Sequence, residues 1–298
     1  MGGIKVKFVC TADWHIRSNI PRCRKDENWY TTQEKALEQI RTFANEKRCP
    51  VFVVGDIFHS MGETNFYCIQ MIQKMAKRTR EGLYILAGNH DLPYHSTENI
   101  DKSAIGILMR SNKIKKIKDY FIENEIEDFS AGNFDEETEN KEIIFKHILC
   151  FPDMKSLPPN VDAMTAKDLL EEYPKAKWIF TGDYHQNFHY EKNGRHVINS
   201  GCLLRQAVDL KDYQTGFYFV DTDENIVEFN PIIDEEEFID DTYILREKEK
   251  EQRIEAFANK VGEVETVSLD YSENVKSAIL TSELSKELIE TIEELMGA

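Results

Sequence analysis

The sequence lacks paired cysteines. Its six cysteines are scattered along 298 residues, and no two of them form a C-x-x-C pair (Cys10, Cys23, Cys49, Cys68, Cys150 and Cys202). Disulfide-rich secreted domains and zinc ribbons both use closely spaced cysteines, so the pattern argues against both classes. We expect free thiols in a reducing compartment.

A long apolar run is also missing. No stretch reaches the roughly 18 consecutive apolar residues that a membrane-spanning helix requires, and residues 1–10 contain no apolar segment of the signal-peptide type. With 41% hydrophobic residues, the chain can nevertheless bury a core. We therefore expect a cytoplasmic protein with no membrane partner.

Positive charge is scarce. The chain has 54 Asp and Glu against 37 Lys and Arg, which gives a net charge of −17. Nucleic-acid-binding proteins usually carry a basic surface, so this balance favours a smaller phosphate ester over DNA. Part of the acidity falls in residues 121–142 and after residue 232, and bound cations neutralise acidic metal ligands locally.

The first half of the chain alternates short apolar runs with amphipathic segments. Buried strands are predicted at 6–10, 51–54 and 83–86, and between them apolar residues recur every three or four positions, as in a helix. This β-α-β-α-β order is typical of parallel strands joined by crossover helices.

The second half is richer in predicted strands. They lie at 143–150, 178–181 and 196–199, followed by a predicted hairpin of 216–220 and 226–229. The sheets of the two halves can pack face to face with helices outside. Charged helical patterns at 246–260 and 282–296 come next, so we place a boundary near residue 232, between domains 1–232 and 233–298.

Side chains that can bind metals follow the predicted strands one after another. They are Asp13 and His15 after the first strand, Asp56 and His59 after the second, Asn89, His90 and Asp91 after the third, His147 in a later strand, and Asp183 and His185 after the next. The carboxyl ends of parallel strands share one edge of the sheet, where ligands bind. Each motif alone is compatible with an ordinary turn, but their joint order predicts one metal site.

The residue types indicate which metals the site would take. Carboxylate, amide and imidazole ligands without a thiolate favour Mn²⁺, Mg²⁺ or Fe over structural zinc. Two ions at about 3.5–4 Å share a bridging ligand, and Asp56 is the expected bridge because Gly55 lets the backbone approach closely and a carboxylate offers two oxygens. We expect two divalent ions, with Mn²⁺ as the first choice.

These motifs resemble the five signature motifs of the calcineurin-like metallophosphoesterases. The Asp-Trp-His form at Asp13, the Gly-Asp-Ile-Phe-His stretch ending at His59, and the Asn-Ser-Gly stretch at Asn199 followed by Arg205 and Gln206 are similar to SbcD-type DNA repair nucleases. The resemblance covers residues 4–232. It implies an α/β (α+β) fold, namely a four-layer αββα sandwich, here with a small C-terminal appendage.

The resemblance also assigns roles to individual residues. One metal would take Asp13, His15, Asp56 and His185, and the other Asp56, Asn89, His147 and Asp183. His90 would protonate the leaving oxygen or stabilise the charged phosphorane, Asp91 would orient His90, and His59 would contact the DNA phosphate.

Two features depart from the resemblance. Asp183 stands where the family usually has a histidine; as a ligand it would favour Mn²⁺ or Mg²⁺, and otherwise it would lie beside the ligands without binding a metal. The residues after 232 are also fewer than the family's capping domain and its ATPase-docking segment. Binding of an SbcC-type ATPase is therefore left open, and the charged helical patterns of this segment are compatible either with such docking or with homodimerisation.

The sequence thus predicts a metal-dependent DNA exonuclease or endonuclease, which hydrolyses phosphodiester bonds with a water activated by two metal ions. The alternative is a phosphatase or small phosphodiesterase acting on nucleotides or phosphoproteins, which the acidic balance favours. A third hypothesis is a non-catalytic, metal-stabilised interaction module. His90 argues against it, because by the resemblance that side chain does nothing for metal binding.

Overall fold

Two β-sheets form the centre of the chain. The computed structural model describes residues 4–63, 65–111, 114–157 and 163–233, together with Asp240, Thr242 and Ile289. Its strands and helices are β1 (Lys7–Thr11), α1 (Trp29–Lys47), β2 (Val51–Val54), α2 (Phe66–Arg78), β3 (Leu83–Leu86), α3 (Ala104–Arg110), β4 (Lys115–Lys116), α4 (Ile117–Glu123), β5 (Phe129–Gly132), β6 (Ile143–His147), β7 (Cys150–Phe151), β8 (Met164–Thr165), α5 (Ala166–Glu172), β9 (Trp178–Gly182), β10 (Phe188–Lys192), β11 (Arg195–Asn199), β12 (Gly216–Asp221) and β13 (Ile226–Pro231).

The first sheet has the strand order β13-β12-β1-β2-β3-β4. Strands β1 to β4 run parallel to one another, as the β-α-β-α-β pattern predicts, and the hairpin of β12 and β13 joins β1 in antiparallel orientation. Helix α1 begins at Trp29 because the Asn28 side chain caps it by accepting from the Thr31 backbone N–H at 3.1 Å.

The second sheet has the order β10-β11-β9-β6-β5, with only β10 antiparallel to its neighbour. The predicted strand 143–150 is wrong in extent. It divides into β6, which ends at His147, and β7, which pairs with β8 in a separate two-stranded sheet. This break turns the chain at His147, so that the histidine stands at a strand end like the other candidate ligands.

Alternating side chains along the strands produce four layers. In the first sheet Val9, Val51 and Val53 face α1, α2 and α3, whereas Phe8 and Phe52 face the second sheet. There they meet Phe145 and Phe180 of the second sheet, with ring centroids 5.1 Å apart for Phe8–Phe180 and 5.5 Å for Phe52–Phe145. The other face of the second sheet packs on α5. The predicted αββα sandwich is confirmed.

The chain divides into two units. Met1–Asp240 and Asp241–Ala298 form two separate units, and the predicted appendage 233–298, with its helices at 246–260 and 282–296, lies outside the described residues except for Ile233, Asp240, Thr242 and Ile289. All six cysteines are buried free thiols, as expected. None of the described helices combines the length and apolar character needed to cross a membrane.

Candidate metal centre

The loops after the strands carry the site, and several of their residues have left-handed backbone conformations. Asp13, His15, Asp56 and Asp183 have φ values of 48°, 44°, 54° and 83°. Residues with a side chain rarely adopt such angles, and where they do the surrounding structure must enforce them. Here the loops hold one another: the backbone N–H of Asp13 donates to the Gly55 carbonyl at 3.1 Å, and that of His15 donates to the Asp56 carbonyl at 3.0 Å.

The first group of candidate ligands joins both sheets. His15 Nε2 and His185 Nε2 lie 3.1 Å apart, and Asp13 contributes a carboxylate oxygen within 4.8 Å of both ring nitrogens. The backbone N–H of Asp183 donates to both Asp13 oxygens at 3.1 and 3.2 Å. This contact fixes the carboxylate and ties the loop after β9 to the loop after β1.

The second group centres on His147. Its Nε2 lies 3.0 Å from Asn89 Oδ1, 3.5 Å from Asp56 Oδ2 and 4.0 Å from Asp183 Oδ1. Its Nδ1 lies 2.8 Å from the Val54 carbonyl oxygen. A carbonyl only accepts, so Nδ1 carries a proton, and Nε2 is the ring atom that could bind a cation placed among the other three side chains.

Asp56 lies between the two groups. Its Oδ2 is 3.7 Å from His15 Nε2 and 3.5 Å from His147 Nε2, while Oδ1 accepts from the His90 backbone N–H at 2.9 Å. Oδ2 is buried and has no hydrogen-bond donor among the described residues. A buried carboxylate oxygen without a donor is costly, and a shared cation on each side of it would remove that cost. The site therefore fits a pair of divalent ions bridged by Asp56.

The electrostatics agree with a cation site. Burial raises the pKa of Asp13 well above its usual range and also raises the pKa of Asp183. Burial acts in the same direction on Asp56, but the charges of His147 and His15 outweigh it and hold its pKa below the ordinary value. Burial would lower the pKa of His147, yet the Asp56 carboxylate raises it to about 10. The carboxylates are thus negative enough to hold a proton on His147, and a divalent ion would compete with that proton.

Three imidazoles lie together at one side of the site. The ring centroids of His15 and His90 are 4.9 Å apart, and His59 lies 5.7 Å from each. The three rings also present nitrogens within 4.8 Å of one another, close enough to hold an ion themselves. Burial, and then the charge of Arg17, lower the pKa of His59 to about 4, so this ring is neutral at neutral pH.

Asp91 makes contacts other than the expected one. Its carboxylate accepts from the backbone N–H groups of Ile57, Phe58 and Gly88 at 3.0–3.1 Å, and burial raises its pKa to about 7. The His90 ring instead places Nδ1 2.8 Å from the His59 carbonyl oxygen. The predicted contact between Asp91 and the His90 ring is thus replaced by a backbone contact, because Asp91 is occupied in joining the loops after β2 and β3.

Several further residues support the ligands; the glycines among them belong to the sequence motifs, whereas Asn133 was not singled out from the sequence. A Cβ added to Gly55 or Gly182 would overlap the His147 ring, and one added to Gly88 would overlap Asp56. Asn133 accepts from the Ala87 backbone N–H at 2.8 Å and so fixes the end of β3. Gly-Asp and Gly-Asn pairs at strand ends are a usable signal for the glycines, whereas Asn133 lies in an acidic run without any motif.

Comparison with known proteins identifies the family. The family described as calcineurin-like phosphoesterase matches residues 6–213. No curated protein matches the chain. Solved structures similar to it include a dimetal phosphatase from Danio rerio (12% identity, 76% of this chain and 98% of that one, TM-score 0.46), an archaeal phosphodiesterase (12%, 76% and 100%, 0.42) and Vps29 from Entamoeba histolytica (11%, 76% and 98%, 0.37).

The family match spans well over half of the sequence, and the chain therefore belongs to the calcineurin-like phosphoesterases. Membership implies metal-dependent hydrolysis of phosphoesters at a dimetal centre. The Asp and His cluster described above is the part of this chain that can hold such a centre.

Proposed function

We propose that this protein is an SbcD-type nuclease that hydrolyses phosphodiester bonds in DNA, in repair or recombination. The observation that carries the proposal is the position of His59 beside His15 and His90, at the side of the candidate metal centre. A third imidazole there, neutral at neutral pH, can donate a hydrogen bond to a phosphate next to the ligands. By the resemblance to SbcD-type nucleases, this imidazole would contact a DNA phosphate.

The proposed ligand sets follow the two groups of side chains. Asp13, His15, Asp56 and His185 would hold one ion, and Asp56, Asn89, His147 and Asp183 the other. Bound divalent ions supply Lewis acidity and make a water molecule more acidic. Mn²⁺ is the proposed metal because the donors are oxygens and imidazole nitrogens.

His90 is the proposed general acid. Its Nδ1–H donates to the His59 carbonyl, which holds the ring and leaves Nε2 as the atom that can give a proton. In the hydrolysis, water forms a new bond to phosphorus and loses a proton to solvent, the bond between phosphorus and the leaving oxygen breaks, and the proton on Nε2 passes to that oxygen. His59 binds a non-bridging phosphate oxygen and helps to align the diester for attack by water.

A phosphatase or small phosphodiesterase is the second candidate. The net charge of −17 favours it, because a strongly acidic protein repels a polyanion.

The proposed partner of the nuclease is DNA in the cytoplasm. Docking of an SbcC-type ATPase and formation of a homodimer remain predictions for the charged segment after residue 232.

One assay separates the two candidates. Single- and double-stranded DNA are incubated with the full chain and Mn²⁺, Mg²⁺ or EDTA, beside a chromogenic phosphodiester. We expect DNA cleavage that EDTA stops. A preparation of Asp56→Ala made in parallel should not cleave DNA, and this control excludes a contaminating nuclease. Turnover of the small ester without cleavage of either DNA would overturn the nuclease proposal and favour the second candidate.

A further inference from the structure

Arg17 occupies a fixed position beside the candidate metal centre. It follows His15 by two residues, and its backbone is held from both directions by Gln33 of α1. The Arg17 N–H donates to Gln33 Oε1 at 2.9 Å, and Gln33 Nε2 donates to the Arg17 carbonyl at 3.0 Å. Gln33 itself is completely buried. The Arg17 backbone, from which the side chain extends, is therefore fixed to α1.

The same loop runs alongside His59. Ile16 and Phe58 form a parallel β-bridge, and the His59 N–H donates to the Ile16 carbonyl at 3.1 Å. Arg17 and His59 are the next residues on these two adjoining segments. The guanidinium is close enough for its charge to act on the His59 ring.

The Arg17 guanidinium has no partner in the described chain. Its Nε is buried without a hydrogen-bond acceptor. The acid whose charge acts on it, Glu63, accepts instead from the backbone N–H groups of Ser18 and Asn65, at 3.3 and 2.8 Å. Arg24, farther along the same segment, differs from Arg17 because it has a carboxylate partner: it forms a bidentate ion pair with Asp26 at 2.7 and 2.8 Å.

A half-buried guanidinium without an acceptor costs free energy unless an anion binds it. Arginine presents a planar fork of donors that matches the oxygens of a phosphate. In a protein of net charge −17, binding of a polyanionic strand must depend on such local cations rather than on the overall field.

We propose that Arg17 forms a second phosphate site, beside the one at His59, and that this site binds the phosphodiester next to the scissile one in a nucleic-acid strand. The inference rests on the proposed nuclease function. It states that this side of the site recognises two consecutive phosphates of the substrate. A substrate with one phosphate leaves the Arg17 site unused, so Arg17 discriminates in favour of strands.

The test uses p-nitrophenyl esters of a thymidine dinucleotide, made at the 5′ end or at the 3′ end. In each, the link between the nucleosides is either a phosphodiester or a neutral methylphosphonate. Release of nitrophenolate reports cleavage of one defined bond. At each end of the dinucleotide the two substrates to be compared differ in the neighbouring link, which is charged in one and neutral in the other. For the wild-type chain we expect kcat/KM to be about tenfold to a hundredfold higher with the phosphodiester link, the range for a hydrogen bond between charged groups.

The variants are Arg17→Gln, Arg17→Lys and the matched control Arg80→Gln. Arg80 is exposed and lies between α2 and β3, at the amino ends of the parallel strands, opposite the site. The preference for the phosphodiester link should fall close to one in Arg17→Gln, recover in part in Arg17→Lys, and stay at the wild-type value in Arg80→Gln. Bound Mn²⁺, measured by elemental analysis, should be the same in all four proteins.

Three results would overturn the inference while the nuclease function stands: no preference in the wild type, an equal loss on both substrates in Arg17→Gln, or the same loss of preference in Arg80→Gln. Failure of the nuclease function itself looks different. In that case the wild-type chain turns over a small ester but neither DNA nor the dinucleotides.

Discussion

At the scale of single residues, one oxygen decides what the site can hold. Asp56 Oδ2 lies 3.7 Å from His15 Nε2 and 3.5 Å from His147 Nε2, and it has no donor among the described groups. The other oxygen is already engaged by the His90 backbone. A side chain in this position can bind two cations at once.

Replacing this carboxylate should therefore empty both halves of the centre. We expect Asp56→Ala to lose both ions, because each loses a ligand and the side chains around it lose their common contact. Elemental analysis after dialysis against Mn²⁺ measures the effect. Asp223→Ala, a change in the hairpin turn between β12 and β13, is the control for the loss of one acidic residue and should bind as the wild type does; two ions retained in Asp56→Ala would contradict the bridging role.

The His90 side chain differs from that of Asp56 because its ring contacts the backbone of His59 and other rings. We expect His90→Ala to keep its metal ions and to lose activity by about 10²- to 10⁴-fold, the usual size of a general-acid contribution. Turnover of a chromogenic diester and metal content are measured on the same preparation. The control is His189→Ala, in β10, whose ring contacts His196. Normal turnover in His90→Ala would remove this residue from the mechanism.

At the scale of elements, the loops that follow β1, β2, β3 and β9 place the ligands. They are short and held by one another through backbone hydrogen bonds and through Asp91, whose carboxylate joins the loops after β2 and β3. Glycines stand where the loops come closest. Gly88 leaves no space for a methyl group beside the Asp56 carboxylate and backbone nitrogen.

A methyl group at Gly88 should thus displace Asp56 without unfolding the sandwich. We expect Gly88→Ala to bind metal about 10- to 100-fold more weakly, the range for changes that disturb ligand orientation, and to keep the wild-type circular dichroism spectrum. Titration with Mn²⁺ measures the affinity. Gly62→Ala is the control, since its new Cβ would approach nothing closer than 3.9 Å. Unchanged affinity in Gly88→Ala would show that the loop can shift freely.

At the scale of the whole molecule, the centre connects the two sheets. Asp13, Asp56 and Asn89 follow strands of the first sheet, whereas His147, Asp183 and His185 end or follow strands of the second. The aromatic core between the sheets brings these edges together. Bound ions would add a second connection at the edge, so the stability of the sandwich should depend on metal.

Removal of metal should lower the melting temperature. An ion present at 100 times its Kd stabilises the folded state by about 2.7 kcal/mol, which corresponds to about 5–10 °C for a domain of this size. Differential scanning calorimetry with excess Mn²⁺ and with EDTA measures the shift. Asp56→Ala should show the same melting temperature in both buffers, and a wild-type chain insensitive to EDTA would contradict the bridging of the sheets by metal.

Local rules account for what could be predicted. Apolar periodicity identified β1, β2, β3, α1 and α2, because a buried strand and an amphipathic helix each leave their own repeat in the sequence. The candidate ligands could be predicted because the carboxyl ends of parallel strands share one edge. The division of 143–150 into β6 and β7 could not be predicted, since the apolar run continues through the break at His147.

By itself, the sequence determined the family motifs, the alternation of strands and helices, and the set of side chains that meet at the edge of the sheets. Only the tertiary structure decided which atom of Asp56 faces both groups, that Asp91 joins two loops instead of holding the His90 ring, and that Arg17 lies beside His59 without a partner. The physical reason is the same in each case. Such contacts join segments far apart in the chain, and they depend on how neighbouring loops align rather than on any pattern within one segment.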